Sequence, residues 1–174
     1  LAMLSLVDPG DEVIVFDPFF VMYEALTRLV GGVPVTIDTY PDFRIDLNRV
    51  ADAITPRTTL ILLNSPANPT GVTATPAEIE GLARLAAERD VALLSDEIYS
   101  RFLYEGEHHS ITSFPGMRDR TIILDGFSKT YAMTGWRIGY GVMPLELVEP
   151  ISRLVSHHSL ASNPLLQPSR WSNL

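Results

Sequence analysis

Short apolar runs alternate along the chain with segments whose apolar residues recur at helical spacing. In four of these segments the apolar residues repeat every three or four positions, as on one face of a helix. The strand-like runs cover residues 13–16, 33–37, 59–63, 91–94, 121–124 and 137–142, and the helical segments lie at residues 22–29, 47–54, 79–86 and 144–155. This alternation predicts an α/β fold, a three-layer sandwich in which helices cover both faces of a mainly parallel sheet.

Helix-boundary signals agree with this pattern. Asp46 precedes one helical segment and can cap it, and residues 75–78 (T-P-A-E) form a capping box with proline at the first helical position. From about residue 161 the periodicity ends. We therefore expect one domain over residues 1–160 and leave residues 161–174 as an unassigned, truncated tail.

Composition narrows the function classes. The chain has 13 basic and 21 acidic residues and a net charge of −8, which gives no support for a nucleic-acid partner. Cysteine is absent, which excludes disulfides, thiolate metal sites and a cysteine nucleophile. No apolar run reaches the roughly 18 residues of a membrane span. Residues 1–7 make a poor signal peptide, and the chain looks cut from something longer.

The basic residues are twelve arginines and a single lysine, Lys129. Arginine can replace lysine where only a positive surface charge is needed. It cannot replace an amine that must lose its proton and attack a carbonyl, because guanidinium stays protonated. Lys129 is therefore a candidate nucleophile.

Unusual residues follow four of the predicted strands. They are Phe20, residues 64–71, residues 96–99, and the pair Ser128-Lys129. Open α/β sheets bind ligands beyond the carboxyl ends of their strands. All four segments are thus expected to face one crevice.

The residue types in this crevice suggest a ligand. Asp96 follows an apolar run, so it is expected to be partly buried and to need a cationic partner such as a protonated pyridine nitrogen. Tyr99 and Asn68 could hydrogen-bond a phenolate oxygen. Arg137 suits a phosphate, and Phe20 could stack on a ring. Together with an aldehyde for the lysine, these groups describe pyridoxal 5′-phosphate.

Each residue also has a simpler interpretation when taken alone. Asp96 could cap a helix, Tyr99 and Phe20 could be core aromatics, Asn68 could make a turn, and Arg137 could be a surface residue. The histidine pairs at residues 108–109 and 157–158 have no carboxylate at a ligand-like spacing. We interpret both pairs as solvated and expect no metal site.

Four segments carry a family resemblance: residues 8–13, 64–71 (N-S-P-A-N-P-T-G), 96–99 (D-E-I-Y) and 126–139. In these the chain resembles the class I/II, fold-type-I aminotransferases that depend on pyridoxal phosphate. The resemblance covers the chain up to about residue 151. It implies an incomplete large domain of that fold, and a transaminase acting on L-amino acids and 2-oxo acids. It also implies a cytoplasmic homodimer.

The resemblance assigns catalytic roles to three residues. Lys129 would hold the cofactor through an imine and then move a proton at the substrate α-carbon. Asp96 would keep the pyridine nitrogen protonated, and Tyr99 would bond the phenolic oxygen.

Four more residues would bind the cofactor. Asn68 would share the phenolic oxygen, Arg137 would pair with the phosphate with help from Ser128, and Phe20 would stack on the ring. Some relatives use serine three residues before the lysine as a phosphate ligand, but Gly126 stands there in this chain.

Two family features match nothing in this chain, and functions besides transamination stay open. A phosphate-binding loop upstream and an arginine for the substrate carboxylate are expected outside it, so the chain alone is expected to be inactive or nearly so.

A carbon–sulfur lyase of the same fold usually has histidine where Tyr99 stands. The chain could also belong to a cofactor-binding sensor fused to a DNA-binding module, or be a degraded copy of an enzyme.

Overall fold

A computed structural model describes residues 1–158, with side chains through residue 156. The described strands are β1 (Glu12–Asp17), β2 (Val33–Asp38), β3 (Thr58–Asn64), β4 (Ala92–Asp96), β5 (Thr121–Gly126) and β6 (Gly139–Val142). They form one sheet in the order β2-β1-β3-β4-β5-β6. The five strands β1 to β5 are parallel to their neighbours, and β6 runs antiparallel to β5. The predicted mainly parallel sheet is confirmed.

The helices of the described residues are α1 (Ala2–Leu6), α2 (Met22–Leu29), α3 (Leu47–Ala53), α4 (Pro76–Arg89) and α5 (Leu145–His158). The Asp46 carboxylate accepts hydrogen bonds from two backbone N–H groups at the start of α3. The side chains of Thr75 and Glu78 cap α4 reciprocally, as the capping box predicts. Helix α1 was not among the predicted elements. No helix within residues 1–158 has the length and apolar character needed to cross a membrane.

Alternate residues of the strands point to opposite faces of the sheet and pack against different helices. Ile14, Ile61 and Leu93 are buried together with residues of α3 and α4. Leu60 and Leu94, one residue away along their strands, are buried together with residues of α1 and α5. This period of two gives the three-layer sandwich that the hydrophobic pattern predicts.

Helix α2 forms where it was expected, but its apolar stripe does not face the sheet. Leu26 and Leu29 are exposed, whereas Tyr23 and Thr27 are buried. The polar groups of this buried face have hydrogen-bond partners. The Thr27 hydroxyl donates to the Tyr23 carbonyl, and the Tyr23 hydroxyl donates to the carboxylate of Asp96 on β4. Because both residues keep hydrogen bonds, burying them carries little desolvation cost.

The strand predicted at residues 137–142 is shorter than expected. Pairing with β5 begins at Gly139, which lies opposite Gly126, the last residue of β5. Arg137 precedes the strand, with φ of 56° in the left-handed region, and ends a 3₁₀ helix at Thr134–Trp136. The strand does not extend to Arg137 because its left-handed backbone is not extended.

The prediction that the first histidine pair is solvated is wrong for His108. Its side chain is 17% exposed, and its Nε2 lies 2.9 Å from Glu97 Oε2. The loop after β4 folds back and brings the two residues together across eleven positions of sequence. The side chains of the second pair, and the tail predicted at residues 161–174, lie outside the described residues.

Candidate active site

The loops that follow β1, β3, β4 and β5 meet at one open cavity of about 350 Å³. Its lining includes every site residue predicted from the sequence: Phe20, Asn68, Asp96, Tyr99, Ser128, Lys129 and Arg137. These strands are neighbours and parallel, so their carboxyl ends lie along the same edge of the sheet. The structure thus brings together seven residues that span more than a hundred positions of sequence.

Asp96 is the last residue of β4 and lies partly buried at the base of the cavity. Its Oδ2 accepts a hydrogen bond of 2.7 Å from the Tyr23 hydroxyl, and its Oδ1 accepts one of 3.2 Å from the backbone N–H of Ile98. Burial raises the pKa of Asp96 above its ordinary value, and these two hydrogen bonds oppose the rise. Asp96 is therefore a carboxylate for which a cationic ligand would be favourable.

Tyr23 is a site residue that the sequence analysis did not identify. It lies in the first turn of α2, and its ring packs edge-on against Phe20, with centroids 5.6 Å apart. Burial raises the pKa of the Tyr23 hydroxyl, and the negative charge of Asp96 raises it further. The residue is therefore a neutral donor. A polar aromatic beside the predicted apolar stripe was the signal that could have identified it.

Lys129 lies three residues beyond the end of β5, and its side chain is exposed to the cavity. Its Nζ lies 5.7 Å from the centroid of the Tyr99 ring, within range of a cation–π contact. Backbone hydrogen bonds from Tyr131 to Phe127 and from Ala132 to Lys129 close the turn that carries the lysine. The amine is thus held on an ordered turn and is accessible to a ligand.

Asn68 sits in the turn after β3, and Asn64 fixes that turn. The Asn64 Oδ1 accepts a hydrogen bond of 2.7 Å from the Asn68 N–H, while its Nδ2 donates to the Asp96 carbonyl at 2.9 Å. Asn64 therefore links the loops after β3 and β4. This role was not predicted, although Asn64 belongs to the segment that was singled out.

Arg137 and Ser128 lie at the β5 side of the cavity. The guanidinium of Arg137 is exposed, and its Nη1 donates to the Thr134 carbonyl at 3.1 Å, which uses one of its five N–H donors. Ser128 is half-buried. Both side chains could meet an anionic group at this side of the cavity.

Asp125 is a second carboxylate in the lining that the sequence analysis did not select. Its Oδ2 accepts a hydrogen bond of 2.6 Å from the Tyr140 hydroxyl. This hydrogen bond raises the pKa of Tyr140 to about 12. The contact ties the end of β5 to the antiparallel strand β6.

The chain has clear relatives among characterised proteins. The family profile described as aminotransferase class I and II matches residues 1–169. The aspartate/prephenate aminotransferase of Thermus thermophilus is 44% identical over 98% of this chain and 43% of its own length. The arginine–pyruvate transaminase of Pseudomonas aeruginosa is 46% identical over 86% of this chain and 38% of its own length.

Solved structures agree with the sequence relatives. A single mutant of Thermus thermophilus aspartate aminotransferase superposes with a TM-score of 0.89 at 44% identity, covering 92% of this chain and 42% of that one. The aromatic aminotransferase of Pyrococcus horikoshii gives a TM-score of 0.87 at 37% identity, covering 90% of this chain and 43% of that one. The chain thus spans less than half the length of these relatives. On this profile match and these similarities, the chain belongs to the class I and II aminotransferase family.

Proposed function

We propose that this chain is the cofactor-binding part of a transaminase that moves an amino group between an L-amino acid and a 2-oxo acid. Residues 1–160 would form its incomplete large domain. Enzymes of this family use pyridoxal 5′-phosphate. The single observation that carries the proposal is that the seven predicted residues line one cavity.

The chemistry of the lining fits this cofactor. An amine, a buried carboxylate, a phenol, an amide and a guanidinium surround the cavity, and they complement an aldehyde, a pyridine nitrogen, a phenolic oxygen and a phosphate. The volume of about 350 Å³ lies within the usual range for small-molecule sites. The donor set therefore supports pyridoxal phosphate as the ligand.

We assign the catalytic roles to three side chains of the lining. When bound, the cofactor supplies a ring that accepts electrons from the substrate α-carbon. Lys129 would hold the cofactor through its aldehyde carbon, and its amine, once released by the substrate, would carry the proton from the substrate α-carbon to that cofactor carbon. Asp96 would pair with the protonated pyridine nitrogen, and Tyr99 would donate to the phenolic oxygen.

The remaining lining residues bind and orient. Asn68 would share the phenolic oxygen with Tyr99, Arg137 and Ser128 would bind the phosphate, and Phe20 would pack against the ring face. Burial of Asp96 favours a cationic partner over water, because an uncompensated buried charge is costly. The site is thus suited to hold the ring in one orientation.

Substrate and assembly belong to the proposal at the level of class. The relatives are named for aspartate, prephenate, arginine and aromatic amino acids, so the substrate class is an L-amino acid with a 2-oxo acid acceptor. We further propose a cytoplasmic homodimer that binds neither nucleic acid nor membrane. The net charge of −8 is consistent with the absence of a nucleic-acid partner. Light scattering after size-exclusion chromatography, and fractionation of cells, would test the assembly and the location.

The proposal is tested by trapping the cofactor on the protein at its natural full length. Borohydride reduction followed by peptide mass spectrometry should place the cofactor on Lys129. Lys129→Ala should lose the adduct, and Lys129→Arg should also lose it although the charge is retained. An adduct on another residue, or none, would contradict the proposal. A keto acid formed without sulfide release would distinguish transamination from carbon–sulfur lysis.

A further inference from the structure

We propose that Tyr23 is a positioning residue for Asp96, one that orients the carboxylate toward the cavity and keeps it ionised for a cationic ring. The inference rests on the proposed function, in which Asp96 meets the pyridine nitrogen. It assigns a role to the hydrogen bond that Tyr23 donates to Asp96. It adds a residue from α2 to a site otherwise built at the ends of strands.

The position of Tyr23 is fixed by its surroundings. Its side chain is 8% exposed and packs with the core on one face of the sheet. The backbone N–H of Tyr23 donates to the Phe20 carbonyl at 3.0 Å, and its own carbonyl accepts from the Thr27 hydroxyl at 2.8 Å. With the helix turn and the ring held in this way, the hydroxyl is directed at Asp96.

The hydrogen-bond geometry leaves Asp96 with capacity for a ligand. An ionised carboxylate has about four acceptor positions on its two oxygens. Tyr23 occupies one on Oδ2, and the Ile98 N–H occupies one on Oδ1. The remaining positions are available to a partner in the cavity that Asp96 lines. Because each oxygen has one fixed donor, the carboxylate plane cannot rotate freely.

The electrostatic surroundings explain why the donor matters. Among the described residues, Glu97 and Asp125 disfavour the charge of Asp96. The other titratable or charged groups that share its cavity are Tyr23, Tyr99, Lys129 and Arg137. Burial and the two acidic neighbours raise the pKa of Asp96, whereas the Tyr23 hydroxyl lowers it. Removal of that hydroxyl should therefore raise the pKa of Asp96 further, so that a smaller fraction of the carboxylate is ionised at a given acid pH.

The test is Tyr23→Phe, which removes only the hydroxyl. The affinity for pyridoxal phosphate and the value of kcat/KM are measured from about pH 6 to about pH 9 in the full-length protein. For a rise of one unit in the pKa of Asp96, we expect the affinity and kcat/KM of the variant to fall toward the acid end, by up to about tenfold. The ratio to wild type should approach one as the pH rises. Tyr104→Phe is the matched control, because Tyr104 is 97% exposed, and it should match wild type at every pH.

The outcomes separate this inference from the proposed function. If wild type binds no cofactor, the proposed function fails. If Asp96→Asn has no effect, another residue meets the ring nitrogen, and the positioning role of Tyr23 fails with the assignment of Asp96. If Asp96→Asn is impaired while Tyr23→Phe equals wild type, or is weakened equally at all pH values, the positioning role alone is wrong. Circular dichroism of both tyrosine variants would exclude misfolding as the cause. A misfolded Tyr23→Phe would be replaced by Tyr23→His, which can keep a donor and should restore part of the affinity at acid pH.

Discussion

His108 and Glu97 form a partly buried contact that spans the loop after β4, with Nε2 and Oε2 2.9 Å apart. The other oxygen of Glu97 accepts hydrogen bonds from the hydroxyls of Ser95 at 3.0 Å and Ser110 at 2.7 Å. The contact closes the loop that carries Tyr99 against the end of its own strand. Glu97 follows Asp96 directly in the sequence, so this contact fixes the backbone next to the site.

We predict that Glu97 makes stability depend on pH in the acid range. Burial alone would raise the pKa of Glu97, but the hydrogen bonds from His108 and Ser110 outweigh it and lower the pKa below the ordinary value. A lowered folded pKa means that the stabilisation is present above the unfolded value of about 4.3 and is lost as the pH falls through the folded value. Urea unfolding at a series of pH values should show this loss in wild type and a flatter profile in Glu97→Gln.

The same variant should also lose stability at neutral pH. Glutamine keeps the shape but forms weaker hydrogen bonds than the carboxylate, so we expect a loss of about 1 to 2 kcal/mol at pH 7. Glu24→Gln is the control, because Glu24 is a surface residue whose ion pair with Arg28 is solvent-exposed. An acid profile of Glu97→Gln parallel to that of wild type would show that other groups set the pH dependence.

Asp96→Asn should reduce turnover strongly while leaving the fold intact. The amide oxygen can still accept the Tyr23 hydrogen bond, but the negative charge is gone. A charged contact in a partly buried site is lost, and we expect kcat/KM to fall by about a hundredfold or more, or about 3 kcal/mol. Steady-state kinetics and thermal unfolding measure the two effects separately. An unchanged rate would mean that another residue meets the ring nitrogen.

Gly126→Ala should destabilise the fold, because no space exists for a side chain at this position. An added Cβ would lie 3.0 Å from the Ile138 carbonyl oxygen and 3.1 Å from the Gly139 Cα. Both are backbone atoms, so the pairing of β5 with β6 must shift, at a cost of about 1 to 3 kcal/mol. Gly135→Ala is the matched control, because a Cβ there meets nothing within 4 Å. Equal unfolding midpoints for the two variants would contradict the prediction.

Thr75→Ala should weaken the start of α4. The Thr75 hydroxyl accepts from the Glu78 N–H at 3.2 Å, and the Glu78 carboxylate accepts from the Thr75 N–H at 2.6 Å. Loss of this cap should cost about 1 kcal/mol of the free energy of unfolding. Thr75→Ser keeps the hydroxyl and should retain most of the stability. Denaturant titration of the two variants gives the comparison, and a serine variant as weak as alanine would assign the effect to packing.

The sheet and its helices could be predicted from the sequence because the information is local. Residues 60–63 are apolar throughout, as in a strand buried on both faces, and the box at residues 75–78 marks the start of α4 within the sequence itself. Parallel strands then place their carboxyl ends together, so the clustering of Asp96 and Lys129 also follows from topology.

What could not be predicted depends on contacts between distant residues. Tyr23 reaches Asp96 across 73 positions, and no spacing rule connects a helix tyrosine with a strand aspartate. His108 meets Glu97 only because the intervening loop turns back. The start of β6 at Gly139 follows a left-handed turn at Arg137. In each case the outcome depends on tertiary geometry that periodicity does not encode.

The cavity is assembled from loops that follow four separate strands, and this has a consequence for refolding experiments. A denatured chain scatters those groups, so a small molecule that fits them has affinity for the native form alone. A free cofactor concentration one hundred times its Kd should add about 2.7 kcal/mol to the free energy of unfolding measured with urea. Cofactor titration during denaturation therefore reports whether the whole sheet edge has formed.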